Sequence, residues 1–411
     1  MTTTIPAAQQ TATTAGPSYR RFVLILGALT AIGPLTVDLY LPAMPTLARD
    51  LAASQSAVQG TITGMLVGLA VGQVLIGPVS DAVGRRRPLI GGLLLHVLAS
   101  VLCALAPTIG LLTLARGLQG LAGAALSVVC MAVIRDRYAG VAAANLLSRI
   151  MLVVGVVPVL APSLGSLVLR LTTWRGIFVV LAAAGLLALV LGGLALPETL
   201  PQGRRRPARP GAIVRTYAAL LADRQFVALV LLAGLVFATL FGYIAGISFT
   251  LQGRYGLSTV GFALAFAVNA AGLVLATQAN PWLVARFDPA RVLRAAVLAG
   301  ATAGLVLLAS TLTGLGGLPV VLAAIAVMLM ACGFSFPNTP ALALSRHGEA
   351  AGTAAALLGA AQFVVGGVAA PLVGAFGAGS AVPMASVMAT GMAGAAVLAL
   401  LVLRSEPIRG G

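Results

Sequence analysis

Twelve apolar runs, each near the roughly twenty residues that an α-helix needs to cross a hydrocarbon core about 30 Å thick, constrain this chain more than any other feature. They cover residues 22–44, 57–78, 88–107, 110–133, 147–169, 176–196, 225–249, 260–284, 295–313, 318–340, 350–375 and 381–403. Lipid offers backbone groups no partner, so a spanning segment must satisfy its own, and runs this long and continuous do so as helices rather than barrel strands. The expected fold class is an all-α polytopic membrane protein. Only 8% of the 411 residues are charged and 60% are hydrophobic, which leaves no room for a soluble domain between spans.

The net charge of +16 comes from 25 arginines without a lysine. With the N-terminus inside, 20 of them fall in cytoplasmic segments and four (Arg49, Arg170, Arg175 and Arg254) outside, with Arg116 within a span. That asymmetry predicts both termini in the cytoplasm. Because the arginines are spread over loops, they fit topology better than a nucleic-acid face. Without lysine there is no Walker-type phosphate loop, hence no ATP drive from this chain. Cys103, Cys130 and Cys332 lack metal-ligand spacing and read as small packing residues, so no metal and no cofactor are expected. Arg20-Arg21 before an apolar run resembles a signal sequence, but the run is long, a convincing cleavage site is lacking and eleven spans follow.

Nine acidic residues occur, and eight lie between the runs; Asp38 alone lies inside one. A mid-bilayer carboxylate costs about 2.5–3.5 kcal/mol on the translocon scale, which marks it as functional. Desolvation disfavours the charged form of a carboxyl, so such a group suits proton exchange. Pro42, four residues later, has no amide hydrogen for the Asp38 carbonyl, which predicts a locally opened helix beside the carboxylate. Two histidines and one buried acid offer no catalytic pair, so an enzyme is not expected.

The chain divides into a tail (1–21), a six-helix bundle (22–196), a linker (197–224) rich in proline and arginine at its start, a second six-helix bundle (225–403) and a short tail (404–411). A charged turn follows the second span of each half, at Gly77–Arg87 and at Pro281–Arg291, 204 residues apart, as expected of an internal repeat. In the first turn Gly77, Asp81, Gly84, Arg85 and Arg86 suit a conformational latch: Gly84 permits a tight turn, and Asp81 can accept from a helix N-terminus or an arginine of the other half. Arg116 begins an Arg-x-x-Gln-Gly pattern inside span four, where a guanidinium needs polar partners. Gly155, Pro158, Pro162 and Gly165 of span five combine bending prolines with glycines that admit a neighbouring helix. Gly64, Gly68 and Gly72 form a small-residue packing stripe.

The 77–88 turn, the Arg116 pattern and the span-five glycine-proline series resemble the major facilitator superfamily. Thr36–Pro45, Trp174-Arg175-Gly176-Ile177-Phe178 and Leu196-Pro197-Glu198-Thr199 resemble its bicyclomycin and chloramphenicol resistance branch of drug:proton antiporters. Ala161 and Ser166 depart from the glycines usual in the antiporter signature. The resemblance implies export of small hydrophobic compounds in exchange for protons across a bacterial inner membrane, by a monomer, with no nucleic-acid partner and the lipid bilayer as surroundings. A dedicated metabolite exporter is the alternative, and a membrane sensor or intramembrane enzyme a remote one. It implies proton coupling through Asp38 and Arg116. For substrate, the facing helices offer Tyr40, Phe237, Phe241, Tyr243, Asn269, Phe334 and Gln362.

Overall fold

A computed structural model describes residues 17–138, 140–205, 210–345, 347, 351–374 and 380–403. Most of both tails (1–16 and 404–411) and part of the linker (206–209) lie outside the described residues. Among the described residues fourteen α-helices follow one another: α1 (Pro17–Asp38), α2 (Met44–Asp50), α3 (Gln55–Val83), α4 (Arg86–Leu105), α5 (Ile109–Arg137), α6 (Gly140–Leu171), α7 (Trp174–Ala195), α8 (Pro210–Ala222), α9 (Arg224–Ser248), α10 (Thr259–Val284), α11 (Pro289–Thr313), α12 (Gly317–Leu344), α13 (Ala351–Gly374) and α14 (Val382–Val402). Among the described residues, 12 helical segments are long and apolar enough to span a bilayer. The first combines α1 and α2 across a break, and α8 is a short helix within the stretch read as linker.

Helix starts follow local chemistry. Ser54, Thr108, Asp223, Ser258 and Asp288 each accept a backbone N–H of the first turn of α3, α5, α9, α10 and α11. Gly84 ends α3 at φ 96° and Gly314 ends α11 at φ 75°, conformations that other residues rarely adopt. Large apolar side chains such as Leu24, Leu114, Leu194 and Leu305 are exposed on the outer surfaces, as a lipid-facing shell requires.

The two halves are built on close helix contacts. The glycine stripe of α3 meets α5: a Cβ on Gly64 would come within 2.6 Å of the Thr113 carbonyl oxygen, and Cβ atoms on Gly68 and Gly120 would strike the carbonyl oxygens of Gly117 and Met65. Between apolar helices in lipid, such backbone approach is the main source of association.

At the arginine-rich end the turn after α3 is tied inside its own half. Arg85 Nη1 donates to Asp81 Oδ1 and to Ser80 Oγ, both at 2.6 Å, and Arg85 Nε donates to Asp136 Oδ2 of α5 at 2.9 Å. The expected partner for Asp81 in the other half is therefore not what these residues show: Arg85 is four residues away on the same turn and reaches Asp81 first. Gly77 is helical with open space around it, whereas a Cβ on Gly84 would strike the Glu198 carboxylate. Glu198, beyond α7, caps α4 from 113 residues away, accepting the N–H groups of Arg85 at 2.8 Å and Arg86 at 3.3 Å. The Arg86 guanidinium donates to the Gly193 carbonyl at 2.6 Å. Partial burial works against the charged form of Glu198, but the N–H groups of Leu200, Arg85 and Arg86 and the Arg205 guanidinium together hold it below the usual carboxylate range.

Two outcomes follow. Gly68→Ala, which must push α3 off α5, lowers the melting temperature in detergent, while Gly77→Ala leaves it unchanged; thermal scans of both variants check this. Glu198→Ala removes the cap of α4 and costs about 1–2 kcal/mol. Since the folded carboxyl ionises below its unfolded value, this stabilisation is full above the ordinary carboxylate pKa and is lost as pH falls through the depressed one. The difference between wild-type and Glu198→Ala melting temperatures should therefore shrink on acidification.

Candidate functional site

The site begins where α1 stops. Pro42 cannot donate to the Asp38 carbonyl, so α1 ends at Asp38, a turn follows at Leu39-Tyr40, and Leu41–Ala43 forms a 3₁₀ turn before α2. The sequence suggested an opened helix, and the chain goes further and breaks. Gly165 of α6 covers the break: a Cβ there would strike the Leu39 carbonyl oxygen and come within 3.1 Å of Pro42 Cγ. The other glycine of that series, Gly155, faces Val274 of α10, and Pro158 and Pro162 lie within α6 between the two.

Arg116 of α5 is fully buried and points into the N-terminal half rather than snorkelling to a surface. Its Nη1 donates to the Thr36 carbonyl at 2.9 Å and to Gln119 Oε1 at 2.8 Å, and its guanidinium lies 4.4 Å from the centroid of the Tyr40 ring. Gln119 is held in turn, donating to Ser100 Oγ at 2.8 Å, and Ser100 donates to the His96 carbonyl. Thr61 spends its proton on the Val58 carbonyl, so the Tyr40 hydroxyl donates to Thr61 Oγ1 at 3.1 Å. The guanidinium is thus pinned by one nitrogen and by the rings of Tyr40 and, at 5.9 Å, Phe178, and among the described residues Nε and Nη2 have no hydrogen-bond partner.

Asp38, 4% exposed, lies within range of the Arg116 charge, yet among the described residues the two form no direct ion pair, and Asp38 Oδ1 has no donor. From the other half, α9 brings Tyr243, 1% exposed, whose ring stacks on Phe266 with centroids 5.4 Å apart. The phenol is an electrostatic neighbour of Asp38 and lies beside the Asn269 amide of α10, but neither its hydroxyl nor Asn269 Nδ2 closes a well-formed hydrogen bond. An unmade hydrogen bond on a buried group costs about 1–3 kcal/mol.

The residues expected to contact substrate have different immediate neighbours. Tyr243 is an electrostatic neighbour of Asp38 and lies beside the Asn269 amide. Tyr40 is occupied inside the N-terminal half, under Arg116 and against Phe178. Phe237 and Phe241 belong to an aromatic group with Phe336 and Phe363, ring centroids 5.2–6.0 Å from Phe237. Phe334, on α12, is half-buried, and its carbonyl accepts from Asn338; Gln362 is buried on α13. Sequence reasoning did not single out Gln119, Ser100 or Thr61 as partners. Gln119 was legible, since it lies three residues after Arg116 on the same helix face. Thr61 and Ser100 reach the network only through the fold.

Comparison with known proteins agrees with this architecture. The sequence pattern of the Major Facilitator Superfamily matches residues 26–371. The chain is 37% identical over 379 residues to the "Uncharacterized MFS-type transporter YdgK" of Bacillus subtilis (strain 168), covering 91% of this chain and 93% of that one. It is 30% identical over 372 residues to the "Bicyclomycin resistance protein homolog" of Haemophilus influenzae (strain ATCC 51907 / DSM 11121 / KW20 / Rd), covering 88% and 91%. A crystal structure of a D-xylose-proton symporter superposes with a TM-score of 0.74 at 18% identity, covering 94% of this chain and 98% of that one, a likeness of fold. With a family pattern spanning most of the chain and relatives aligned over nearly all of it, the protein belongs to the Major Facilitator Superfamily of membrane transporters.

Proposed function

We propose that this transporter exports small hydrophobic or amphiphilic compounds from the bacterial cytoplasm in exchange for protons, with both termini cytoplasmic. Support for efflux comes from the bicyclomycin-resistance relative, and support for proton coupling from the site itself. The observation that carries the coupling is Asp38, buried at a helix break, influenced by Arg116 but among the described residues not paired with it, and within electrostatic range of a tyrosine of the opposite half. A static structural carboxylate would be locked in donors. This one is left able to take up or release a proton as the halves rock and its surroundings change.

In this reading Arg116 tunes the carboxyl from a distance, because Thr36, Gln119 and the Tyr40 ring hold the guanidinium in place. Tyr243 and Asn269 supply hydrogen-bonding groups from the second half, and the Phe237 cluster supplies an apolar wall. One proton moving through 100 mV supplies about 2.3 kcal/mol, enough for a roughly fortyfold gradient of a neutral compound, so one titrating group suffices for neutral cargo.

The test is proton release from purified protein in weakly buffered detergent on addition of a chloramphenicol-like compound, with wild type and Asp38→Asn side by side. Release from wild type and none above background from Asp38→Asn is expected. Equal release from both would move coupling elsewhere, and absence of binding across a panel of neutral and cationic drugs would favour a dedicated metabolite exporter.

A further inference from the structure

At the end of the bundle opposite the arginine-rich turns, hydrogen bonds join the two halves. Gln252 donates to the Pro42 carbonyl at 3.4 Å, and Ser166, whose proton goes to the Pro162 carbonyl of its own helix at 2.8 Å, lies 3.3 Å from the Thr259 carbonyl. The others come from one face of α3, at spacings of three and four residues: Ser56 to the Pro371 carbonyl at 3.5 Å, Gln59 to the Ala245 carbonyl at 3.0 Å and Thr63 to the Gly367 carbonyl at 2.8 Å. Among the described residues the Thr63 bond is the shortest of these contacts.

The acceptor is what distinguishes it. In an α-helix the Gly367 carbonyl would take the N–H of residue 371, but residue 371 is proline and has none to give. Gly367 carries no side chain to hold α3 away; a Cβ there would already lie 3.3 Å from Leu66 Cβ. The Gly-x-x-x-Pro pattern therefore does two things at one point: it orphans a carbonyl and lets a neighbouring helix approach it. A related arrangement occurs within the C-terminal half, where Pro337 orphans the Gly333 carbonyl and the Thr277 hydroxyl of α10 lies 3.1 Å from it, its single proton shared between that carbonyl and the Leu273 carbonyl of its own helix at 3.0 Å. There it joins helices of one half. Between α3 and α13 it joins the two halves.

We infer that Thr63, Gly367 and Pro371 form a latch that holds the end of the transporter opposite the arginine-rich turns closed. The bond is reversible by construction. When the halves part, the Thr63 hydroxyl can turn back onto the carbonyl four residues earlier in its own helix, the usual alternative for a helical threonine. The Gly367 carbonyl has no such alternative and must wait for water. Closure is thereby favoured without being locked, as alternating access requires.

The measurement is the alkylation rate of Leu66→Cys by a membrane-impermeant maleimide, in intact cells and in inverted vesicles. Leu66 is fully buried against Gly367, so it reacts only when this end opens, and Cys103, Cys130 and Cys332 are themselves buried. Thr63→Val keeps the shape and loses the hydroxyl; it should raise the rate about fivefold, the factor expected from one net hydrogen bond. Thr63→Ser should restore the wild-type rate, and Pro371→Ala, which returns an N–H to the Gly367 carbonyl, should raise it. Equal rates in the wild-type, Val and Ser backgrounds, a Ser variant that behaves like Val, or an unchanged rate in Pro371→Ala would overturn the latch. The inference presumes rocking halves but not the cargo or the proton, so proton release that still depends on Asp38 would keep the functional reading while the latch fell.

Discussion

In a bilayer a main-chain carbonyl cannot be left to solvent, and the organisation of this transporter follows from where prolines create carbonyls without partners. Pro42 ends α1 at Asp38 and exposes backbone beside the one buried carboxylate. Pro337 frees a carbonyl that the Thr277 hydroxyl approaches within one half, and Pro371 frees one that Thr63 fills across the two halves. Each proline costs a helical bond, and each vacancy becomes a point where helices join or where polar chemistry is placed.

Around these points the structure divides its labour. Glycine-lined contacts such as α3 against α5 make each half rigid through backbone approach. Contacts between the halves combine close approach at Gly367 and Gly374 of α13 against α3 with side chains reaching carbonyls, which can be exchanged for water or for alternatives in the same helix. The arginine-rich turn is tied within its own half through Arg85, Asp81, Asp136 and Glu198, so among the described residues it fixes the ends of α3, α4 and α5 relative to one another rather than bridging the halves. Our proposal for Asp38 fits this division, since a proton-exchanging group is useful only where two rigid bodies meet.

Asp38, Arg116 and the glycine stripe were legible because lipid makes each conspicuous: a charge or a run of glycines inside an apolar span has no bland explanation. Helix number was legible for the same reason, since span length is dictated by membrane thickness. The substrate residues were less legible. Aromatic side chains are common in spanning helices for packing alone, and Tyr40 turns out to be spent inside its own half while Tyr243 is an electrostatic neighbour of Asp38.

What the sequence determined by itself was the spanning helices, the division into two sixes and the family, all of which depend on local hydrophobicity and spacing. Only the tertiary structure decided partnerships. It set Glu198 on the N-terminus of α4 from 113 residues away and directed Asp81 to Arg85. It left Arg116 beside Asp38 without an ion pair, and it aimed Thr63 at Gly367 across 304 residues. The physical reason is that burial in lipid is read along the chain, one span at a time, whereas a hydrogen bond between helices depends on rotation and register to within an ångström, which no single span contains.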